Sequence, residues 1–275
     1  YNKMEFKFSN RISGVQGSAI REIFKYGNRP EVISLAGGNP APELFPSKEF
    51  AEILAEILAK KPTEALQYGV TEGYAPLRKY VKKFIAEREN IGRDFDETII
   101  VSGGQQGIDL ATKVLVNEGD AVIVEEPSFI GALNAFRAYG AKLVGVPVKN
   151  DGMDIEILEK KLNETENVKI IYTIPTFQNP SGVTMSEEKR KKLYALAKKH
   201  GVVIIEDNPY GELTFDGSKV PTIKSGDDEG VVLYSGSFSK ILTPGIRVGY
   251  ITGHRDLIAK MVIAKQVSDV HTPML

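Results

Sequence analysis

The 275-residue sequence contains no cysteine. Disulfides, thiolate metal sites and cysteine nucleophiles are therefore excluded. Histidine is almost as scarce: His200, His254 and His271 lie far apart and show no metal-ligand spacing. Charge of one sign is missing too, with 35 Lys and Arg against 36 Asp and Glu for a net charge of −1. A broad cationic surface for nucleic acid or an anionic membrane is not implied. No apolar run approaches the length of a membrane span. The first residues, YNKMEFKFSNR, lack the apolar core of a signal peptide, so a cytoplasmic location is the expectation. Neither the G-x-x-x-x-G-K-[ST] loop nor the G-x-G-x-x-G fingerprint occurs, which disfavours a nucleotide-binding α/β protein.

What is present is an ordinary globular composition, 42% hydrophobic and 26% charged. Short β-branched runs alternate with amphipathic stretches. The runs are TIIV (98–101), AVIV (121–124), KLVGVPV (142–148), VKIIYTI (168–174), VVIIE (202–206), VVLYS (231–235) and RVGYIT (247–252). Several are apolar throughout, as strands buried on both faces are. Between them lie helical patterns such as QQGIDLATKVLV, SFIGALNAFRAYG and SEEKRKKLYALAKKHG, the last with Ser186 as N-cap and Gly201 as stop. The EEKRKK group at 187–192 reads as a solvated helix face. This βαβ alternation predicts an α/β fold with a mostly parallel seven-stranded sheet sandwiched by helices. Ahead of it, SAIREIFKYG, FAEILAEILAKK and LRKYVKKFIAEREN read as helices, and EVISLAGGNPAPELFP as an extended Gly- and Pro-rich segment. At the other end, HTPML offers Thr272 as an N-cap and Pro273 at the first position of a further helix, so the natural protein is expected to continue.

Open α/β sheets bind ligands beyond the carboxyl ends of their strands. Five strand ends here carry SGGQQG, EEPSF, PTFQNPSG, DNPYGE and GSFSK. SGGQQG opens a helix, where backbone N–H groups and the helix dipole suit an anion such as phosphate; its plain alternative is an ordinary strand-to-helix turn. Asp207 and Asn179 are either turn residues or, respectively, a carboxylate that holds a proton on a heterocycle nitrogen and a polar contact to the same ligand. Phe129 is either core or a ring that stacks on a flat ligand. Lys240 sits between VVLY and IL, beside Ser237 and Ser239, with Arg247 seven residues on. Burial there disfavours the ammonium, and a neutral lysine amine forms a Schiff base with an aldehyde. Phosphate, aromatic nitrogen, stacking face and aldehyde together describe pyridoxal 5′-phosphate.

The motifs ISLAGGNPAPELFP, ALQYGVTEGYAPLR, EEPSF, QNPSG, EDNPYGEL and SGSFSKILTPGIRVGY together resemble the fold-type I, class I and II aminotransferases, in the branch acting on 2-aminoadipate, kynurenine and aromatic amino acids. The resemblance covers nearly the whole chain. It implies that residues 46–275 form the large cofactor domain, behind an arm and substrate-side segment at 1–45, and that the C-terminal small domain, with its carboxylate-clamping arginine, lies outside this sequence. It also implies the residue roles. Lys240 is the Schiff-base lysine and proton shuttle. Asp207 pairs with the ring nitrogen, Tyr210 and Asn179 with the phenolic oxygen, and Phe129 stacks. Ser237, Ser239, Arg247 and the backbone at Gly104 and Gln105 hold phosphate. Where related proteins often have a serine, this chain has Gly104. Tyr68 resembles the tyrosine that reaches the phosphate of a neighbouring subunit, which implies a homodimer with shared sites. On the substrate side stand Gly38 and Asn179, with Ser18 and Arg21 of SAIRE three apart on one helix face; the alternative for that pair is a capping serine and a surface arginine. The activity so implied is ping-pong transfer of an amino group from an L-amino acid (2-aminoadipate, glutamate, aromatic or branched-chain) to a 2-oxo acid such as 2-oxoglutarate, with no nucleic-acid or membrane partner. Two alternatives stay open: a lyase or decarboxylase on the same fold, and a cofactor-binding transcriptional regulator, which would carry a winged helix upstream.

Overall fold

The computed structural model describes residues 6–13, 15, 29, 31–33 and 37–275. All seven β-branched runs become strands: β1 (Asp96–Val101), β2 (Ala121–Glu126), β3 (Lys142–Lys149), β5 (Val168–Thr173), β6 (Val203–Asp207), β7 (Val232–Ser237) and β8 (Gly249–His254). The sheet nevertheless has eight strands, not seven, because β4 (Gly152–Met153) folds back on the end of β3. Two residues are too few to leave an alternating pattern. What makes the reversal possible is Gly152 at φ +109°, a conformation that side chains resist.

The strand order is β1-β8-β7-β6-β5-β2-β3-β4. β2, β3, β5, β6 and β7 pair in parallel, while β8 is antiparallel to both of its neighbours, β7 and β1. Two reversals restore the direction, so β1 points the same way as β7. The carboxyl ends of β1, β2, β5, β6 and β7 therefore share one edge with the amino end of β8.

Helices cover both faces. They are α1 (Asn10–Ser13), α2 (Ser47–Lys60), α3 (Pro62–Leu66), α4 (Ala75–Glu89), α5 (Gly104–Leu115), α6 (Ile130–Ala138), α7 (Ile155–Glu164), α8 (Glu187–His200) and α9 (Arg255–Gln266). Successive strand side chains point to opposite faces. Val122 and Val124 accordingly pack with Ile108 of α5, Phe136 of α6 and Met261 of α9, whereas Ile123 packs with Leu158 of α7 and Leu193 of α8. Each such fully buried side chain contributes about 1.5–3 kcal/mol. That two-sided burial is why the central strands read as continuous apolar runs.

Two sequence expectations need correction. α8 begins and ends as expected, with Ser186 Oγ accepting from Lys189 N and Gly201 left-handed at φ +66°. Its basic run, however, is not all solvated. Lys191 and Lys192 pair at the surface with Glu187 and Glu188, but Arg190 is only 2% exposed. It stands three residues before Leu193 and seven before Ala197, on the apolar face. The second correction concerns Thr272. An N-cap side chain must face the turn that follows it, and the buried Thr272 hydroxyl is instead turned back to Ser102 Oγ at 3.3 Å and Ile100 O at 3.5 Å.

Candidate active site

At the shared edge the chain leaves β1 through Ser102 and Gly103 and enters α5 at Gly104. Gly103 is the N-cap at φ +81° and bonds the helix with no side chain. The first-turn N–H groups and the positive end of the helix dipole thus face outward, as an anion requires. The Arg247 guanidinium lies against Gly103, and a Cβ there would collide with it. That guanidinium donates to Pro244 O (3.1 Å) and Ser102 O (3.4 Å). Gly249, the first residue of β8, brings its backbone against the same loop: a Cβ on it would lie 2.9–3.1 Å from Gly236 O and the Gly103–Gly104 peptide. Beside them Ser237 Oγ accepts from Ser239 N at 3.1 Å and bonds Ser239 Oγ at 2.9 Å. Gln105 and Phe129 converge over Gly131, Gln105 Nε2 donating to Gly131 O at 2.8 Å, and Phe129 is the half-buried cap residue of α6.

Lys240 is half-buried. Its Nζ donates to Gly38 O at 2.6 Å and stands 6.0 Å from the centroid of the Tyr210 ring. Burial draws its pKa below the ordinary lysine value, and among the described residues no carboxylate counters it. Ile241 and Leu242, expected to help bury it, are about 40% exposed; the burial comes from contacts distant in sequence.

Asp207 ends β6 with its side chain buried. Burial pushes its pKa up to about 6, against the opposing effect of the Tyr172 hydroxyl, which donates to Asp207 Oδ2 at 2.9 Å. Asn179 Nδ2 donates to Tyr210 OH at 3.4 Å. Burial raises the Tyr210 pKa, the Asn179 bond lowers it, and the Asp207 charge adds to the rise.

Sequence reasoning missed four residues that shape this edge. Glu125 is buried at the end of β2, where burial lifts its pKa to about 7. It accepts from Thr173 Oγ1 (2.7 Å), Ile174 N (3.0 Å) and Gln178 Nε2 (3.2 Å). Gln178 also donates to Pro127 O and accepts from Ser181 N, so it ties the loop of Asn179 to the loop before Phe129. Arg190 pins the same loop from below, donating to Pro175 O, Met185 O and Thr176 Oγ1. Tyr172 fixes Asp207. A signal existed for two of the four. Glu125 shares the inward parity of Ile123, and Arg190 lies on the apolar face of α8.

The other expected residues fall elsewhere. Tyr68 is 82% exposed and meets the His271 ring edge-on at 6.0 Å. Gly38 is exposed and touches the cluster through its carbonyl alone. Ser18 and Arg21 lie outside the described residues. A cavity of about 100 Å³ opens beside Asn208 rather than at Lys240, and its charged lining is already compensated, with Lys219 Nζ 2.6 Å from Glu89 Oε1.

Residues 30–275 match the family profile of aminotransferase class I and II. The sequence is 47% identical over 269 residues to an aromatic-amino-acid aminotransferase of Thermococcus litoralis, covering 96% of this chain and 64% of that protein. It is 43% identical to a 2-aminoadipate transaminase of Thermus thermophilus, covering 98% and 66%. Its fold superposes with a TM-score of 0.92 on a Pyrococcus horikoshii kynurenine aminotransferase solved with PMP and kynurenine, at 44% identity, covering 97% of this chain and 67% of that one. The chain thus spans about two thirds of the length of these relatives.

Proposed function

The chain belongs to the class I and II aminotransferase family, and from that membership we propose that it forms the cofactor-binding part of a pyridoxal 5′-phosphate-dependent aminotransferase. One observation carries the reading. A lysine with a lowered pKa and, among the described residues, no counter-charge shares one sheet edge with a buried acid and a glycine-lined anion cradle. The residues fit the group. A Cβ at Gly103 would fill the cradle, and the donors around it are those phosphate needs.

Pyridoxal phosphate supplies an aldehyde that a lysine amine can hold and a ring that accepts the electron pair released at a substrate Cα. Ser237, Ser239, Arg247 and the N–H groups at Gly104 and Gln105 would hold its phosphate; with glycine at 104 no side-chain hydroxyl helps there. Phe129 would stack on the ring. Asp207 would hold the proton on the ring nitrogen, and a cation there lowers the acid's pKa and keeps it ionised. Asn179 and Tyr210 would bond the phenolic oxygen. Lys240 Nζ, its charge disfavoured by burial, would take the substrate Cα proton as general base and deliver it to C4′, the former aldehyde carbon of the cofactor. Gly38, Asn179, Ser18 and Arg21 would face the substrate, with residues 1–45 as the substrate-side segment and 46–275 as the cofactor domain. The donor classes follow those of the relatives: aromatic amino acids, kynurenine and 2-aminoadipate, with glutamate and branched-chain amino acids beside them, and a 2-oxo acid such as 2-oxoglutarate as acceptor. A homodimer is supported by the exposure of Tyr68, Leu66 and Val70 and of Ile53 and Leu58 on α2, which has no buried residue. A cytoplasmic location accords with the absence, among the described residues, of any helix long and apolar enough to cross a membrane.

The test is an absorbance titration of the purified protein and its Lys240→Ala variant with 2-aminoadipate, glutamate, phenylalanine and leucine, without an oxo acid. Conversion of bound cofactor to its amine form, lost in the variant, is the expected result and ranks the donors. A bound cofactor that no amino acid converts would overturn it in favour of a lyase or a binding-only protein.

A further inference from the structure

The glycine loop is braced from behind by side chains with no part in the chemistry above. Lys265, the penultimate residue of α9, is completely buried. Its Nζ donates to Gln106 Oε1 at 2.7 Å and to Asp269 Oδ1 and Oδ2 at 2.8 and 3.0 Å. Asp269 Oδ2 also accepts from Gln106 Nε2 (2.6 Å) and Ser102 Oγ (2.8 Å). The ring closes where Gln106 Oε1 accepts from Ser102 N at 2.8 Å. Burial depresses the Lys265 pKa while Asp269 raises it; burial opposes ionisation of Asp269, but bonds from Lys265, Gln106 and Ser102 hold its pKa below the ordinary value. Only the lysine end of this pair is buried; the Asp269 side chain is 30% exposed, so water screens part of the Coulomb energy. The value of the pair lies in geometry, since charged hydrogen bonds fix their partners in direction.

The partners fixed here are Ser102 and Gln106, which flank Gly103, Gly104 and Gln105. Ser102 also presents the carbonyl that receives the Arg247 guanidinium. We propose that Lys265 and Asp269 are positioning residues for the phosphate of the cofactor, holding the first-turn N–H groups of α5 and the Arg247 guanidinium at the spacing an anion requires. This rests on the cofactor reading above. It assigns to the end of α9, more than 150 residues away in sequence, control of how firmly the phosphate is held.

The test compares two probes: pyridoxal 5′-phosphate, and pyridoxal, which keeps the ring and aldehyde but lacks the phosphate. Dissociation constants are measured for the wild-type protein, Lys265→Met and Asp269→Asn, with thermal unfolding followed in parallel. Asp269→Asn is nearly the same shape and carries the test alone should Lys265→Met not fold. The expected result is a loss of about tenfold or more in affinity for the phosphorylated probe, the scale of one charged hydrogen bond, with pyridoxal affinity unchanged. Equal losses for both probes, or none, would overturn the proposal and leave a brace between α5 and α9. Failure of the wild type itself to prefer the phosphorylated probe would sink the cofactor reading instead, and that outcome is visible before any variant is made.

Discussion

Lys224 and Lys240 lie at opposite edges of one sheet and are held in opposite ways. Lys224 is 1% exposed. Its Nζ meets Asp96 Oδ1 at 2.7 Å and Asp227 Oδ2 at 2.8 Å, above the Phe95 ring at 5.2 Å. Asp96 begins β1, and Asp227 Oδ2 accepts the N–H that opens β7, so this pair seals the amino edge. Lys240, at the carboxyl edge, meets one backbone carbonyl. Both are lysines in a protein interior. The difference is counter-charge. Two carboxylates tie a lysine into the structure as an ion pair, whereas desolvation without a carboxylate prepares an amine that can give up its proton. The proposed site sits where, among the described residues, a half-buried charge meets no carboxylate.

The largest effect that should follow is kinetic. Lys240→Ala is expected to slow half-transamination by roughly 10⁴-fold, the upper end for a positioned general base, in single-turnover absorbance measurements. Lys240→Met is expected to leave unfolding in denaturant unchanged or shifted to greater stability, since an uncompensated partly buried charge is removed. Lys224→Met should do the reverse: about 3–5 kcal/mol of stability lost, because Asp96 and Asp227 remain buried without their cation. Equal stability losses at the two lysines would break the comparison.

Asp207 sharpens it from the acidic side. Its pKa is raised by burial from 3.8 to about 6, so between those values the folded cofactor-free protein binds more protons than the unfolded one. Its contribution to stability is therefore complete below the lower value and is lost as pH rises through the upper one. Asp207→Asn removes that loss. Denaturation curves of the cofactor-free pair across this range should diverge by up to about 3 kcal/mol in favour of the variant as pH rises. Parallel curves would mean that the acid is not desolvated. Glu206, which burial lifts to about 7, is present in both proteins and cancels; Glu125, lifted chiefly by burial and in part by the Asp207 charge, is relieved in the variant and shifts the difference in the same direction. The smallest expected effect is at the surface. Lys191→Ala, which cuts an exposed pair with Glu187, should leave the unfolding midpoint unmoved.

How much of this could be read from the sequence differs between the fold and the site. The strands were legible because burial on both faces leaves β-branched runs such as AVIV with no polar interruption. Lys240, Asp207, Asn179, Tyr210 and Arg247 could be picked out as candidates because each sits in a short motif beside a strand end. The residues that hold them were not. Arg190 looked like one more charge in EEKRKK until its guanidinium was found under Pro175 and Thr176. Lys265 lies in a mostly apolar stretch, IAKMVIAKQ, with no motif to mark it, and its partner Gln106 is 159 residues away. The extra strand Gly152–Met153 was invisible because two residues hold no period.

The sequence by itself determined the seven longer strands, the caps of α8, and which strand ends carry polar and ionisable groups. These depend on periodicity and capping, which act over a few neighbouring residues. Only the tertiary structure decided which charges are compensated: Lys224 by two carboxylates, Lys265 by Asp269, and Lys240 by none among the described residues. Compensation depends on Coulomb and hydrogen-bond partners within about 4 Å in space, and chain separation does not constrain those.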